Sequence, residues 1–262
     1  MAGNSGTGIE GKRSARHRRI VAELELKPSL RVSELAERLS VSPETIRRDL
    51  DAMKTEGLIE RTYGGAMRRR SLEPSVTERH NMRVAEREAI ARTGAASLIG
   101  TTHLMIGSGA TTVHLARRVA MTMNNLTVIC HSFGVATVLS LNPTITVLIA
   151  PGIYHAGEGA VHGAATVRYL ESFRVDWTIL GASGLTRDGP SDALIEGAEI
   201  YATMASRSER TMVLADSSKF NLAFPARWAE WPEVDCLISE IAPKGPLADA
   251  VSEAGTDMLT AQ

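Results

Sequence analysis

The spacing of apolar residues divides the chain into a helical first quarter and a longer part in which short apolar runs alternate with helical patterns. In the first quarter, apolar side chains recur every three or four positions, which predicts helices over residues 18–24 and 32–39 and a third helix that begins after Ser42. Farther along, the predicted strands cover residues 103–106, 126–130, 145–149, 177–180, 212–215 and 234–238. The predicted helices cover residues 86–99, 112–118, 133–141, 164–171, 198–206 and 247–254. Apolar strands that alternate with helices indicate a mostly parallel sheet covered on both faces.

The third predicted helix has one apolar and one basic face. Ser42 provides an N-cap hydroxyl, and Pro43 suits the first helical position because its missing amide proton costs nothing there. The two faces hold, respectively, Ile46, Leu50 and Met53, and Thr45, Arg47 and Arg48. Two arginines early in a helix suit the major groove of DNA, since a guanidinium group binds guanine edges or phosphates. The simpler alternative is a solvated helix face.

The residues around this helix complete a DNA-binding pattern. Residues 40–42 separate it from the preceding helix, a length typical of the helix-turn-helix. Residues 58–63 predict a strand, and the two glycines after it permit the tight reversal of a wing. Together these features predict a winged helix-turn-helix that binds a double-stranded DNA operator. Its candidate DNA-binding residues are Ser42, Thr45, Arg47, Arg48, Arg61, Gly64 and Gly65.

Charge is distributed unevenly although the net charge is only −1. Residues 1–70 hold 15 Lys and Arg against 10 Asp and Glu, and residues 71–262 hold 14 against 20. A basic head on an acidic body is expected when only the head meets phosphate. The predicted organisation is a flexible tail over residues 1–15, a winged helix-turn-helix domain over residues 16–70, a linker over residues 71–82 and an effector-binding α/β domain over residues 83–255.

The tail and the cysteines limit the remaining possibilities. The basic residues near the N-terminus either touch phosphates or form a solvated segment; they are Lys12, Arg13, Arg16, Arg18 and Arg19. Cys130 and Cys236 show no metal-binding spacing, so we interpret them as reduced thiols of a cytoplasmic protein and predict no metal and no cofactor. No apolar run reaches the 18 residues of a membrane span, so no membrane partner is expected.

Polar turns follow five of the predicted strands. Because parallel strands end at the same sheet edge, where α/β folds bind ligands, these turns predict a binding site. Residues 107–112 (GSGATT) lead into a helix whose free amides suit an anion such as phosphate. Lys219 is suited to neutralising a phosphate, and Asp216 to orienting Lys219 or a sugar hydroxyl. The candidate effector-binding residues are Ser108, Gly109, Thr111, Thr112, His131, Ser132, Gly152, Gly181 and Lys219.

Both halves of the chain resemble one family, the DeoR family of bacterial regulators of sugar metabolism. In the first half the matching residues are Leu35-Ala36, Val41-Ser42, residues 45–50, Gly57, Arg61 and Gly64-Gly65-Ala66. In the second half they are Arg79, Asn81, Ile90-Ala91, Ser108-Gly109, Thr111, Ser132, Gly152, Asp176, Gly181, Gly184 and residues 216–220. The resemblance implies a sensor domain similar in fold to ribose-phosphate isomerases and CoA transferases. It also implies an oligomeric (dimer or tetramer) repressor of a carbohydrate catabolic operon, released from DNA by a phosphorylated sugar or a related metabolite.

The chain departs from that family at the predicted ligand edge. Gly107 stands where the family usually has aspartate, and Tyr201 where lysine is common; Ala110 replaces a threonine, and Cys130-His131 replaces threonine-asparagine. These departures leave open which effector binds and whether it is phosphorylated. His131 either donates to a ligand at low pH or packs.

The rival hypothesis is an enzyme of the isomerase or CoA-transferase type that carries a DNA-binding head. Isomerases of this fold have a DGAD turn where residues 181–184 here read GASG, without a carboxylate. Asp188 and Asp192 follow without the expected glycine-rich lysine motif, and Glu196 and Glu199 are explained more simply as surface residues. We therefore predict no catalytic residues. A third hypothesis, a DNA-binding architectural protein without a ligand, leaves the large α/β domain unexplained.

Overall fold

The structure is a computed structural model that describes residues 6–27, 29–55, 59–62, 64–68 and 73–262. It divides into two compact units, Met1–Pro74 and Ser75–Gln262. The second part of the predicted linker is built into the second unit. There, Ser75 caps a short helix, since its Oγ accepts from the Glu78 amide (3.4 Å) and the Glu78 carboxylate accepts from the Ser75 amide (2.9 Å). Residues 71 and 72 lie outside the described residues.

The first unit is a winged helix-turn-helix, as predicted. Its elements are α1 (Gly6–Leu26), β1 (Ser29–Arg31), α2 (Val32–Leu39), α3 (Pro43–Thr55), β2 (Ile59–Thr62) and β3 (Gly65–Arg68). The three strands form an antiparallel sheet in the order β1-β3-β2. The core consists of the apolar faces of all three helices together with Leu30, Ile59 and Ala66 from the sheet. Leu58 and Tyr63, the ends of the strand predicted over residues 58–63, lie outside the described residues.

Two features of this unit differ from the sequence prediction. Helix α1 begins at Gly6, inside the segment predicted as a flexible tail, and continues through Arg16, which pairs with Asp49, and the buried Ile20. Strand β1 was not predicted: its three residues are too few to show an alternating pattern, and pairing with β3 defines it. Residues 1–5 lie outside the described residues.

The second unit is an α/β domain, which confirms the predicted fold class. Its helices are α4 (Val76–Arg79), α5 (Val84–Ser97), α6 (Ala110–Thr122), α7 (Phe133–Leu139), α8 (Ala164–Leu170), α9 (Ile195–Ser206) and α10 (Pro246–Glu253). Its strands are β4 (His103–Ile106), β5 (Thr127–Cys130), β6 (Thr146–Ile149), β7 (Ile153–His155), β8 (Ala160–His162), β9 (Val175–Gly181), β10 (Gly184–Thr186), β11 (Gly189–Asp192), β12 (Ser208–Leu214), β13 (Ala226–Arg227), β14 (Cys236–Ser239) and β15 (Asp257–Thr260).

Seven of these strands form one sheet in the order β15-β14-β12-β9-β4-β5-β6, and every adjacent pair is parallel. Alternate side chains enter two separate cores, as the pleat requires. Ile106 and Ile179 pack in one core with α5 and α6, whereas Met105 and Leu180 pack in the other with α9 and α10. This double coverage explains why the strands are continuous apolar runs.

The sequence did not indicate the small antiparallel pieces around the main sheet. Strands β7 and β8 form a hairpin, and β10, β11 and β13 form a three-stranded sheet. Several of these segments are rich in glycine and polar residues, so they lack the apolar runs that marked the main strands. The edge strand β15 was missed for the same reason, since three of its four residues are exposed.

Candidate functional site

Helix α3 is fixed by its cap and by its apolar face. The Thr45 amide donates to Ser42 Oγ (3.2 Å), which satisfies one of the free amides of the first turn. Ile46, Leu50 and Met53 are completely buried. The opposite face of α3 is therefore presented to solvent.

The exposed face of α3 carries two arginines beside a glutamate. The side chains of Arg47 and Arg48 are 56% and 80% exposed, and both lie near Glu44, at 3.4 Å and 3.5 Å between nitrogen and oxygen. Exposed pairs of this kind contribute little to stability, about 0–1 kcal/mol. The guanidinium groups can therefore exchange Glu44 for phosphates or base edges at small cost.

Asp49 is a functional residue to which the sequence interpretation gave no role. It is buried on α3, where its carboxylate accepts from Arg16 Nε and Nη2 and lies 3.3 Å from the His17 ring nitrogen, both on α1. Burial alone raises the pKa of Asp49, but the Arg16 hydrogen bonds and charge, with a contribution from His17, hold it below its ordinary value. This ion pair anchors α3 against α1. Its sequence signal was an acidic residue next to the buried stripe, three positions after Ile46.

The basic residues near the N-terminus differ in whether they are paired or exposed. Arg16 is committed to Asp49, whereas Arg13, Arg18 and Arg19 are exposed. These three arginines are therefore accessible to an anionic partner; the side chain of Lys12 lies outside the described part of α1.

The wing turns at the two predicted glycines. Gly64 has a φ of +86°, in the left-handed region that favours glycine. At Gly65 a Cβ would lie 2.2 Å from the Leu30 carbonyl oxygen, so β1 and β3 approach too closely for any side chain. Arg61 on β2 lies near Asp51 of α3 (3.7 Å) and is 26% exposed, so its side chain connects the wing to α3.

At the carboxyl edge of the main sheet, His131 is a packed residue and not a free donor. Its Nε2 accepts from the Ser108 amide (3.2 Å), and its Nδ1 therefore carries the proton and donates to the Val161 carbonyl (3.0 Å). Burial lowers the pKa of His131 to about 4; the Val161 hydrogen bond opposes this shift, and His162 adds to it. Of the two interpretations of His131, the contacts favour packing.

Tyr201 completes a buried polar network with Ser108. Its hydroxyl donates to the Ser108 carbonyl (2.6 Å) and lies 3.1 Å from Ser108 Oγ. Burial raises the pKa of Tyr201, and the charge of Asp192 adds to the shift, so the hydroxyl remains protonated. A Cβ at Gly107 would lie 2.9 Å from Leu180 Cδ2 and 3.0 Å from Tyr201 Cε1, so Tyr201 occupies the space beside Gly107.

The beginning of α6 lies at the same edge, and its residues Ala110, Thr111 and Thr112 are buried. Gly109, with a φ of +127°, precedes α6 and provides no side-chain cap. Thr112 Oγ1 donates to the Gly109 carbonyl (2.9 Å), so this hydroxyl is committed to the turn. The amides of Ala110 and Thr111 face a helix end that favours negative charge.

Three other predicted residues lie at or just after the ends of strands of the same unit. Ser132 is the N-cap of α7, since its Oγ accepts from the Val135 amide (3.4 Å). Gly181 lies beside Ser108, because a Cβ there would lie 3.7 Å from the Ser108 carbonyl oxygen. Gly152 is a point of close approach, where a Cβ would lie 2.2 Å from Thr166 Oγ1. The structure therefore groups Ser108, His131 and Gly181 and assigns packing roles to the other two.

Lys219 lies farther along the same edge. It ends a single turn (Ser217–Lys219) after β12, and β12 is two strands away from β4, which carries the loop of Ser108. Asp216 contacts residues at the start of α5 and within its own turn. Its carboxylate lies 3.4 Å from Arg87 and 3.5 Å from Arg83, and accepts from the Ser218 amide (3.1 Å), so it holds the turn against α5.

The carboxylates that the enzyme hypothesis would need lie around β11 and the start of α9. Asp188 and Glu196 are exposed, and Asp192 Oδ1 accepts from the Leu194 amide (2.8 Å) as a local turn. Within the part of the chain that the structure describes, no group of three or more His, Cys, Asp or Glu is placed to hold a metal ion. Among the same residues, no helix is both long and apolar enough to cross a membrane.

Comparisons with known proteins match two parts of the chain to two domains of one family. Residues 16–71 match the DeoR-like helix-turn-helix domain, and residues 82–240 match the DeoR C-terminal sensor domain. The chain is 30% identical to the glycerol-3-phosphate regulon repressor of Haemophilus influenzae over 236 residues, which cover 89% of this chain and 92% of that protein. It is 29% identical to the Escherichia coli (strain K12) protein of the same name over 237 residues, 88% of this chain and 92% of that one.

Two further comparisons are more distant. The HTH-type transcriptional repressor CsqR of Escherichia coli (strain K12) is 25% identical over 252 residues, which cover 94% of this chain and 95% of the relative. Among solved structures, a D-ribose-5-phosphate isomerase in complex with phospho-erythronic acid overlaps with a TM-score of 0.38 at 13% identity, over 51% of this chain and 53% of that one. An overlap of that size supports no inference about activity. The two domain matches and the full-length relatives show that the chain belongs to the DeoR family of helix-turn-helix transcriptional regulators.

Proposed function

We propose that the protein represses a carbohydrate catabolic operon and leaves its operator when a phosphorylated sugar or a related polyol phosphate binds the second unit. The observation that carries the proposal is the exposed arginine pair Arg47 and Arg48 on an α3 that is fixed by its cap and by Asp49. The names of the relatives, including two glycerol-3-phosphate regulon repressors, support the direction of regulation and the class of effector.

On the DNA, Arg47, Arg48 and Thr45 contact bases and phosphates in the major groove, and Arg61 with the wing contacts the backbone. A dimer or a tetramer binds two half-sites about 34 Å apart, one turn of the duplex, so that two copies of α3 enter successive grooves. Each contact with a phosphate releases counterions, so affinity falls steeply with salt.

In the second unit, the effector binds at the sheet edge around Ser108 and Thr111, with an anionic group at the start of α6 and with Lys219 nearby. The uncapped first turn of α6 supports an anion there. The Ser108 amide and carbonyl are already bonded to His131 and Tyr201, so the amides that follow them carry the contact. A coupling of about 1–3 kcal/mol between effector and DNA, roughly 5- to 150-fold in affinity, is sufficient for regulation.

The test is fluorescence anisotropy of the full-length protein on its own upstream DNA and on duplexes selected from a random library, at two salt concentrations. Each titration is repeated with a panel of sugar and polyol phosphates that includes glycerol 3-phosphate and the same compounds without phosphate. Specific binding that one phosphorylated compound weakens supports both parts of the proposal. Absence of specific binding to any selected duplex would refute the regulator, whereas release by an unphosphorylated compound alone would refute the class of effector.

Two variants separate the two units. Arg48→Ala abolishes specific DNA binding and leaves effector binding intact; Arg187→Ala, whose side chain is 74% exposed in the second unit, is its control. Lys219→Ala weakens the effector response while operator binding persists, with the exposed Lys244→Ala as its control. Equal loss of both activities in Arg48→Ala would contradict the division of labour, and an unchanged dose response would remove Lys219 from the site.

A further inference from the structure

The β7–β8 hairpin is hydrogen-bonded on one side to the loop that carries His131. The Phe133 amide donates to the Gly159 carbonyl (2.9 Å), and the Val161 amide donates to the His131 carbonyl (2.9 Å). The His131 ring in turn donates to the Val161 carbonyl (3.0 Å). Three hydrogen bonds thus join the hairpin to the loop after β5, so a shift of that loop also moves the hairpin.

The turn of the same hairpin is held by α4. The Val76 amide donates to the Gly157 carbonyl (2.8 Å), and Arg79 Nη2 donates to Glu158 Oε2 (2.5 Å). Both side chains of this ion pair are largely buried, with 8% and 19% of their surfaces exposed, so solvent screens the attraction only weakly. Helix α4 begins two residues after Pro74, the last residue of the DNA-binding unit. The hairpin therefore holds the chain close to the point where it enters the second unit.

A row of histidine rings connects the hairpin to the sheet edge. The His155 and His162 rings stack with their centroids 5.4 Å apart and their planes at 4°, and the centroid of His162 lies 5.8 Å from that of His131. His131 accepts from the Ser108 amide, in the loop where we place the effector. Packed rings transmit displacement because interiors are dense and change between discrete arrangements.

We propose that the β7–β8 hairpin couples the effector edge to the DNA-binding unit, with Arg79 and Glu158 as the positioning residues that transmit its movement to α4. The inference rests on the proposed function and names the element that carries its regulation. An effector that displaces the Ser108 loop shifts His131, the hairpin follows through its three hydrogen bonds, and α4 follows through the buried ion pair and the Val76 bond.

A second set of ion pairs also reaches the entering chain but is a weaker candidate. Arg83 and Arg87 contact Asp216 after β12. Arg87 lies within α5, and that helix is fixed by Ile90 and Ala91, which are buried in the main core. Arg87 also donates to the Arg79 carbonyl and so fixes the last residue of α4 to α5, whereas the hairpin holds the first residue of α4 through the Val76 amide. Arg83, which is 40% exposed, supplies a control for the loss of a nearby arginine.

The test uses hydrogen–deuterium exchange of the full-length protein with and without a duplex selected for tight binding, so no effector is needed. Because coupling is reciprocal, DNA binding must change the protection of any element that transmits the effector signal. We expect operator binding to change the exchange rates of the Val76 and Val161 amides about 2- to 30-fold, the usual effect of residues within a coupling network. Unchanged rates at both amides in a protein that binds its operator would overturn the inference.

The variant Glu158→Gln tests the ion pair itself. We expect it to bind the operator while the DNA-dependent change in exchange at Val161 falls at least about 3-fold, within the range expected for such residues. Glu158→Asp, which keeps the charge, and Arg83→Gln should each retain the change. If Glu158→Gln shows the same DNA-dependent change in exchange at Val161 as the wild-type protein, the Arg79–Glu158 ion pair does not transmit the signal.

Thermal melts establish whether each variant is folded. If Glu158→Gln does not fold, exchange of the wild-type protein with and without the duplex still tests whether the hairpin responds to DNA. If the wild-type protein binds no selected duplex, it is the proposed function that fails. Binding without a hairpin response is a failure of the coupling inference alone.

Discussion

Replacing Asp49 by asparagine should loosen the DNA-binding unit without changing its shape. The substitution keeps the volume of the side chain but removes the charge that faces Arg16 and His17 on α1. Hydrogen bonds to charged groups contribute about 1.5–3 kcal/mol. Because the Arg16 side chain is still 23% exposed, the stranded cation recovers part of its hydration. We expect the unit to lose about 2 kcal/mol of unfolding free energy, near the lower end of that range.

The same substitution two residues farther along is the matched control. The Asp51 side chain is 70% exposed and lies 3.7 Å from Arg61, so Asp51→Asn should cost less than about 0.5 kcal/mol. Both positions lie on α3, so a difference between the variants reports burial and pairing and not helix propensity.

Urea denaturation can separate the two units in the intact protein. All three tryptophans, at positions 177, 228 and 231, belong to the second unit. Tryptophan fluorescence therefore follows that unit, while far-ultraviolet circular dichroism follows both. With a urea dependence of about 1 kcal/mol/M for a unit of this size, Asp49→Asn should lower the midpoint of the first unit by about 2 M. The fluorescence transition should not move.

The prediction fails if Asp49→Asn and Asp51→Asn shift the midpoint equally, since the buried pair would then not hold α1 against α3. Acidity provides a second check. The pKa of Asp49 is lowered in the folded protein, so its contribution is complete above the unfolded value of about 3.9 and is lost as pH falls below it. The asparagine variant should lack this part of the acid dependence.

Three further outcomes follow from the described contacts. Gly65→Ala places a Cβ 2.2 Å from the Leu30 carbonyl oxygen, so it should separate β1 from β3 and abolish DNA binding; normal binding and an unchanged melt would contradict the close approach. Because burial lowers the pKa of His131 to about 4, against about 6.5 when unfolded, the unfolded chain takes up the proton first. The contribution of His131 to the free energy of unfolding is therefore complete above pH ~6.5 and falls by about 3 kcal/mol towards pH ~4. In urea titrations, His131→Asn should lose less unfolding free energy over this pH range than the wild-type protein. Burial raises the pKa of Cys130 to about 12 and of Cys236 to about 11, so a thiol reagent should modify both only after unfolding; rapid labelling of the native protein would refute their burial.

The sequence predicted the winged helix-turn-helix and the main sheet because local rules determine both. The inward stripe of α3 follows from helical spacing, and six of the seven parallel strands were visible as apolar runs. The strands β1 and β15 escaped prediction because their neighbours define them: β1 pairs with β3, and β15 completes an exposed edge. A short strand without an apolar pattern has no signature of its own.

The site was less predictable because its contacts join distant residues. Asp49 meets Arg16 across 33 positions, and Asp216 meets Arg87 across 129. Sequence reasoning identified Ser108 and His131 as edge residues, but their mutual hydrogen bond, which removes His131 from the set of free donors, depends on how two neighbouring strands are aligned. The DNA contacts and the effector residues remain predictions.

The close packing at Gly107 limits which substitutions this position can accept. A Cβ at that position would lie 3.0 Å from the Tyr201 ring and 2.9 Å from Leu180 Cδ2, so a larger residue there requires these side chains to shift. Loss of the ring in turn strips the Ser108 carbonyl of its donor and leaves a void. A larger residue at 107 is therefore expected to be accommodated more readily when position 201 carries a smaller side chain. Positions 107 and 201 are in direct contact, so the effects of substitutions at the two positions should not be additive.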